Sequence, residues 1–115
     1  MYYIGVDIGG TGIQAGLVSE EGKILLIREC RTDVEAGFEK TLQDIESLID
    51  DLLAGYKINM KDIISIGFGV PSFINLKGEV TCVNLGWEQV AFLPSLRHLF
   101  SEVKVYVEND ATVVP

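Results

Sequence analysis

Three short stretches of this chain put polar or glycine residues directly after an apolar run, and each is a candidate for chemistry. The first is Asp7-Ile8-Gly9-Gly10-Thr11, which closes the run Tyr2–Ile8. A glycine pair lets the backbone turn tightly and removes the side chains that would hold a ligand away. Successive backbone N–H groups in such a turn can converge on an anion. On that reading Asp7 faces a bound metal ion and the Thr11 hydroxyl reaches a phosphate oxygen. The same letters also describe a β-hairpin with a two-glycine turn and a strand-end aspartate, and the turn alone does not separate the two. The second stretch is Gly67-Phe68-Gly69-Val70-Pro71-Ser72, and the third is Glu108-Asn109-Asp110. A phosphate-cradling turn on one strand and an Asn-Asp pair on another is what phosphoryl transfer to a hydroxyl requires. One loop holds the nucleotide and its metal, and the other orients the acceptor and takes its proton. Asp110 also fits a strand-terminating cap.

The elements that would position these residues follow from the spacing of apolar side chains. Tyr2–Ile8 has the length and composition of a buried strand, residues 13–18 read as a second and residues 24–30 as a third. The links between them are short, which requires antiparallel neighbours and an opening three-stranded meander. Thr32 and Asp33 are candidate helix caps. Beyond them Phe38, Leu42, Ile45, Leu48, Ile49, Leu52 and Leu53 form one apolar stripe, and Gly55 is expected to end that helix. Nothing in the helix suggests a site. Residues 63–70 are the fourth strand, reached through the helix and so expected parallel to the first. Residues 71–78 read as a loop, 79–83 as a short strand, and Asn84-Leu85-Gly86-Trp87 puts an amide and an indole in a turn. Phe92, Leu93, Leu96, Leu99 and Phe100 mark a second helix with Pro94 in its first turn, and residues 103–107 are the fifth strand. The order βββαβαβ is an α/β layer with an antiparallel hairpin edge. If the first, fourth and fifth strands run parallel, the three candidate stretches share one sheet edge, where ligands bind in open α/β sheets.

Bulk composition excludes several classes. A chain of 115 residues is one domain. Its net charge of −8, with no basic stripe, argues against nucleic acid as a partner. Cys30 and Cys82 match no metal-ligand spacing and read as reduced, largely buried thiols. His98 has no second ligand near it in sequence. No charged leader precedes an apolar run and no stretch approaches membrane-spanning length, so a cytoplasmic protein with no membrane partner is expected.

The motifs carry a family resemblance. Asp7-Ile8-Gly9-Gly10-Thr11 resembles the first phosphate motif of the sugar kinase, actin and heat-shock ATPase superfamily. Gly67-Phe68-Gly69-Val70-Pro71, Gly78-Glu79-Val80, Asn84-Leu85-Gly86-Trp87 and Glu108-Asn109-Asp110-Ala111 resemble, in order and spacing, the ROK family of repressors, open reading frames and kinases. That family includes bacterial glucokinases, fructokinases and N-acylhexosamine kinases. The resemblance covers nearly the whole chain. It implies an α/β, ribonuclease H-like (actin/hexokinase-type) domain with a mixed sheet, and a parent that is an ATP-dependent hexose kinase. It also implies roles. Gly9, Gly10 and Thr11 would line the ATP phosphates, with Asp7 near the Mg2+. Asn109 would bind a sugar hydroxyl, and Asp110 would be the general base. Ser72 and Asn84 would wall the sugar pocket. The implied partners are a small-molecule sugar and ATP, and a homo-oligomer is left open.

The departures from the family pattern bear on the sugar. Ser72 stands where glycine is common, Gly12 where a lysine often follows the turn threonine, and Asn75 where aspartate is frequent. Thr112 replaces a frequent asparagine. Val113-Val114-Pro115 replaces the alanine-rich start of a helix, and Pro115 lacks an N–H donor there. The family's second lobe brings adenine-binding elements, further acidic and histidine contacts to the sugar, and a Cys/His zinc motif. This chain stops just after the proposed base. Residues 1–115 are therefore expected to be an N-terminal lobe with the C-terminal lobe absent, without that zinc site, with an exposed apolar face and without activity alone. Two other readings stand beside the kinase. One is the sugar-binding domain of a ROK-type transcriptional repressor, whose helix-turn-helix would precede the first strand. The other is a non-catalytic sugar-binding domain.

Overall fold

The structure, a computed structural model, describes residues 1–70 and 73–109. Its elements in chain order are β1 (Tyr2–Ile8), β2 (Gly12–Ser19), β3 (Ile24–Arg31), α1 (Phe38–Tyr56), β4 (Ile63–Val70), β5 (Phe73–Ile74), β6 (Val80–Cys82), β7 (Trp87–Val90), α2 (Phe92–Leu99) and β8 (Lys104–Asn109). Five strands form one mixed sheet in the order β3-β2-β1-β4-β8. The β1–β2 and β2–β3 pairs are antiparallel, whereas β1–β4 and β4–β8 are parallel. The expected meander, the parallel fourth and fifth strands and both helices are therefore present.

Alternation sets the two faces of the sheet. Ile4, Val6 and Ile8 of β1 are buried, while Tyr3, Gly5 and Asp7 point the other way and are exposed. The buried side continues through Ile13, Ala15 and Leu17 of β2 and Ile66, Phe68 and Val70 of β4. Over it lie Ile45, Leu48, Ile49, Leu52 and Leu53 of α1 and Phe92 and Leu96 of α2. Both helices cover the same face for a topological reason. The β3-to-β4 and β4-to-β8 connections step across the sheet in the same direction, and right-handed crossovers that do so lie on one side. Aromatic edges fasten the second half of the layer. Trp87 meets Phe38 at 5.1 Å and Phe92 at 5.2 Å between ring centroids, and Phe92 meets Phe68 at 5.9 Å.

Several local expectations are corrected. A small antiparallel sheet, β5-β6-β7, sits where a loop, one short strand and a turn were expected. Trp87 is not a turn residue on display. It opens β7 and is buried in the aromatic cluster. Asn75 organises the β5–β6 turn: its side-chain oxygen accepts from the N–H groups of Lys77 at 2.9 Å and Glu79 at 3.0 Å. Gly55 does not end α1, which runs on to Tyr56 and closes with Lys57 in the left-handed conformation, φ 59°. Glycine at 55 instead admits a neighbour, since a Cβ there would lie 2.9 Å from the Leu26 Cδ2 of β3. Thr32 and Asp33 do not cap α1 either. Its N-cap is Gly37, and the Asp33 carboxylate accepts from the Ala36 N–H at 3.2 Å.

Gly78 turns the β5–β6 loop at φ +78°, where an added Cβ would fall 2.7 Å from the Leu93 Cβ. Gly22, at φ +88°, has open space around the same position. Gly22→Ala should then cost about 1–2 kcal/mol for the left-handed backbone alone. Gly78→Ala should cost measurably more in urea unfolding, because the Leu93 backbone and side chain must also shift. Equal losses at the two positions would show that the Leu93 contact is not limiting.

Candidate functional site

β1 lies in the middle of the sheet, and its parallel neighbours bring three strand ends to one edge. Asp7 stands opposite Gln14 on β2 and Gly69 on β4, and Gly69 stands opposite Glu108 on β8. Val70 pairs with Asn109. Two strand spacings separate β1 from β8, about 10 Å. Asp7 is exposed at the end of this row. Asn109 is placed by its strand position beside Val70, and Ser72 and Asp110 lie outside the described residues.

The glycine turn is a β-hairpin. Ile8 and Ile13 are its last strand pair, and the Gly9 N–H donates to the Gly12 carbonyl at 3.0 Å. Among the described residues, none accepts a hydrogen bond from the N–H of Gly10 or of Thr11. The hairpin is held from outside by the end of β3. The Thr32 hydroxyl donates to the Gly9 carbonyl at 2.6 Å, and the Thr32 N–H donates to the Thr11 carbonyl at 3.3 Å.

Backbone conformation does not demand glycine in this turn. Neither Gly9 nor Gly10 has positive φ. A Cβ on Gly9 would meet the Gly12 carbonyl oxygen at 3.5 Å, and one on Gly10 would meet the Asn84 Cβ at 3.6 Å. These are ordinary van der Waals separations. What the missing side chains leave open is the space in front of the turn, next to the N–H groups of Gly10 and Thr11. The structure thus brings Asn84, exposed on a 3-10 turn at Val83–Leu85, against Gly10.

Sequence reasoning passed over the other side of this turn. A cleft of about 660 Å³ is lined by Gly10, Thr11, Cys30, Arg31, Thr32 and Asp33, with Lys40 and Asp44 from α1. The β2–β3 pairing that brings residues 30–32 beside the turn is visible in the sequence only as a hairpin. Its register is what makes the last residues of β3 neighbours of Gly12 and Ile13. Within the cleft Lys40 is ion-paired with Asp44, and that hydrogen bond is the main reason its ammonium is held above the usual lysine pKa. The Cys30 thiol is pushed up chiefly by burial, then by the Asp44 carboxylate, against a smaller lowering by Lys40. Among the described residues no three His, Cys, Asp or Glu side chains converge as a metal cluster, and no helix is long and apolar enough to cross a membrane.

A raised Cys30 pKa means less thiolate at a given pH and slower alkylation. Asp44→Asn removes one of the causes that raise it and leaves Lys40 in place as a cation. Iodoacetamide should therefore modify Cys30 faster at fixed neutral pH in that variant, with the rate–pH curve displaced to lower pH. An unchanged curve would remove Asp44 as a cause.

Comparison with known proteins agrees with this geometry. The ROK family profile matches residues 3–114. A glucokinase of Halalkalibacterium halodurans is 31% identical over 114 residues, 97% of this chain and 34% of the relative. The crystal structure of a ROK family glucokinase from Streptomyces griseus, in complex with glucose and AMPPNP, superposes with a TM-score of 0.81. It is 29% identical, over 96% of this chain and 34% of that one. A xylose repressor of Caldicellulosiruptor bescii is 26% identical over 110 residues, 94% of this chain and 27% of the relative. The chain thus spans about a third of the length of the glucokinases that it matches. Its fold is that of the actin/hexokinase type.

Proposed function

Because this chain belongs to the ROK family, we propose that it is the N-terminal lobe of an ATP-dependent hexose kinase of the glucokinase type. The observation that carries the reading is the parallel register Asp7, Gly69, Glu108, which sets the glycine turn and the start of Glu108-Asn109-Asp110 on one edge of one sheet. A gap of about 10 Å between them leaves room for a phosphoryl group and an acceptor hydroxyl side by side.

In this reading the N–H groups of Gly10 and Thr11 and the Thr11 hydroxyl donate to the phosphates of ATP, and Gly9 keeps their approach clear. Asp7 suits Mg2+, which is commonly held by one or two carboxylates together with substrate phosphates. The ion, when bound, neutralises charge on the phosphates. Asn109 hydrogen-bonds a sugar hydroxyl. Asp110 accepts the proton of the attacking hydroxyl, a weak acid that needs a base mainly as the transition state forms. Ser72 walls the sugar. Asn84, which abuts Gly10, lies between the sugar and the phosphate turn and orients both. The cytoplasm is the compartment where ATP and free sugars are both at hand.

A second reading has its own support in the 26% identity to a xylose repressor. There the same lobe would bind a sugar without phosphorylating it. The kinase is favoured because the glucokinase relatives are more similar.

The decisive measurement is a coupled assay with ATP, Mg2+ and a panel of hexoses on the full-length protein. Asp110→Asn should lower kcat by about 10²–10⁴-fold and leave sugar binding largely intact. Wild-type-like turnover by that variant would remove Asp110 from the mechanism, and absence of turnover on every hexose would favour the repressor. Gly10→Ala should unfold at nearly the wild-type urea concentration, since its Cβ meets only ordinary contacts, yet raise the KM for ATP. The 115-residue chain by itself should show negligible turnover.

A further inference from the structure

We propose that Arg31 is the cationic anchor for the phosphate chain of the donor. The proposal rests on the reading of Gly9–Gly10–Thr11 as the phosphate turn and adds to it the charge that the turn lacks. Backbone N–H groups and a threonine hydroxyl are neutral donors, Asp7 beside them is an acid, and the chain as a whole carries a charge of −8. Beside the Mg2+ that Asp7 would hold, a cationic side chain close to the turn would add charge-assisted hydrogen bonds to the phosphate oxygens.

Two cations line the cleft at the turn, Arg31 and Lys40. Lys40 is already paired with Asp44. Of the remaining acid in the lining, Asp33 accepts from the Ala36 N–H. Among the described residues Arg31 has neither an ion pair nor a side-chain hydrogen bond, and it is exposed. Among the described residues no acid is paired with its guanidinium, while Asp33 and Asp44 outnumber Lys40 in the rest of the lining.

The register fixes where the Arg31 backbone sits and which sheet face its side chain leaves from. Arg31 is the cross-strand partner of Gly12, the residue after Thr11. Cross-strand partners share a sheet face, and strand alternation puts Gln14 and its partner Asp7 on that same face. Gly12 has no side chain to stand in front of the guanidinium. The next residue, Thr32, grips the turn through Gly9 and Thr11. The Arg31 backbone is therefore held next to the turn before any ligand arrives, so little is lost in positioning it. A planar guanidinium can then engage two phosphate oxygens in one rigid fork, a geometry an ammonium lacks.

Tripolyphosphate is the probe, because it offers the phosphate chain without needing an adenine pocket. Titration calorimetry on the 115-residue chain would compare wild type with Arg31→Gln, Arg31→Lys, Gly10→Ala and the exposed distal control Lys61→Gln. Arg31→Gln should weaken binding by about tenfold and flatten its dependence on salt. Arg31→Lys should recover part of the affinity, and Lys61→Gln should match wild type. All should unfold at nearly the same urea concentration, since both substituted cations are exposed. Wild-type affinity in Arg31→Gln alongside lost affinity in Gly10→Ala would overturn the role of Arg31 and leave the phosphate turn standing. No binding by the wild-type chain would overturn the phosphate turn and this inference together.

Discussion

The handedness of two crossover connections governs the rest of this structure. A right-twisted strand feeding a right-handed crossover returns to the sheet on one side only. Both parallel connections, β3 to β4 and β4 to β8, advance in the same direction from the same kind of strand. Both helices and the small β5-β6-β7 sheet therefore fall on one face, while the parallel direction of β1, β4 and β8 puts their carboxyl ends on one edge. The core follows from that chirality, and the candidate site from the shared direction of the strands. The cost is a second face with no cover among the described residues. There Gly5, Gly16 and Gly67 stand in one cross-strand row between Ile27, 44% exposed, and Tyr106, 51% exposed. A row so poor in side chains and flanked by exposed apolar groups has the flatness that another layer could pack on.

In the turn between β1 and β2, hairpin geometry is compatible with the phosphate cradle proposed for it. It is a hairpin by its hydrogen bonds and register. Its two glycines are nevertheless unexplained by hairpin geometry, because neither adopts a positive φ and neither excludes a Cβ. Their effect is on the outside of the turn, where they leave backbone donors accessible. Stiffness comes from Thr32, whose hydroxyl ties β3 to the turn across 23 positions of sequence. A donor array braced by a distant element as well as by its own Gly9–Gly12 hydrogen bond would meet an anion with little reorganisation.

Legibility varied with how local each signal was. The 3.6-residue stripe of α1 and the alternation of β1 and β4 are repeated many times over, so single exceptions do not blur them. The small sheet is different. Its strands have two to four residues, too few for a period to show, and they are defined by their pairing with one another. Trp87 was misplaced for the same reason, because its neighbours in the aromatic cluster come from α1 and α2. Gly55 and Thr32 match local patterns for a helix stop and a cap. Both serve contacts with a strand that lies far away in sequence.

By itself the sequence determined the strand and helix periodicities, the order of the polar strand ends and the motif set that marks the family, since each is written in near neighbours. Only the tertiary structure decided which residues stand around the turn. Asn84 against Gly10, Thr32 on Gly9 and Arg31 across from Gly12 all depend on register and crossover. A one-residue slip in either β-pair would send those side chains to the opposite face. Such registers are set by the summed burial of whole strands, and no single stretch of residues carries that information.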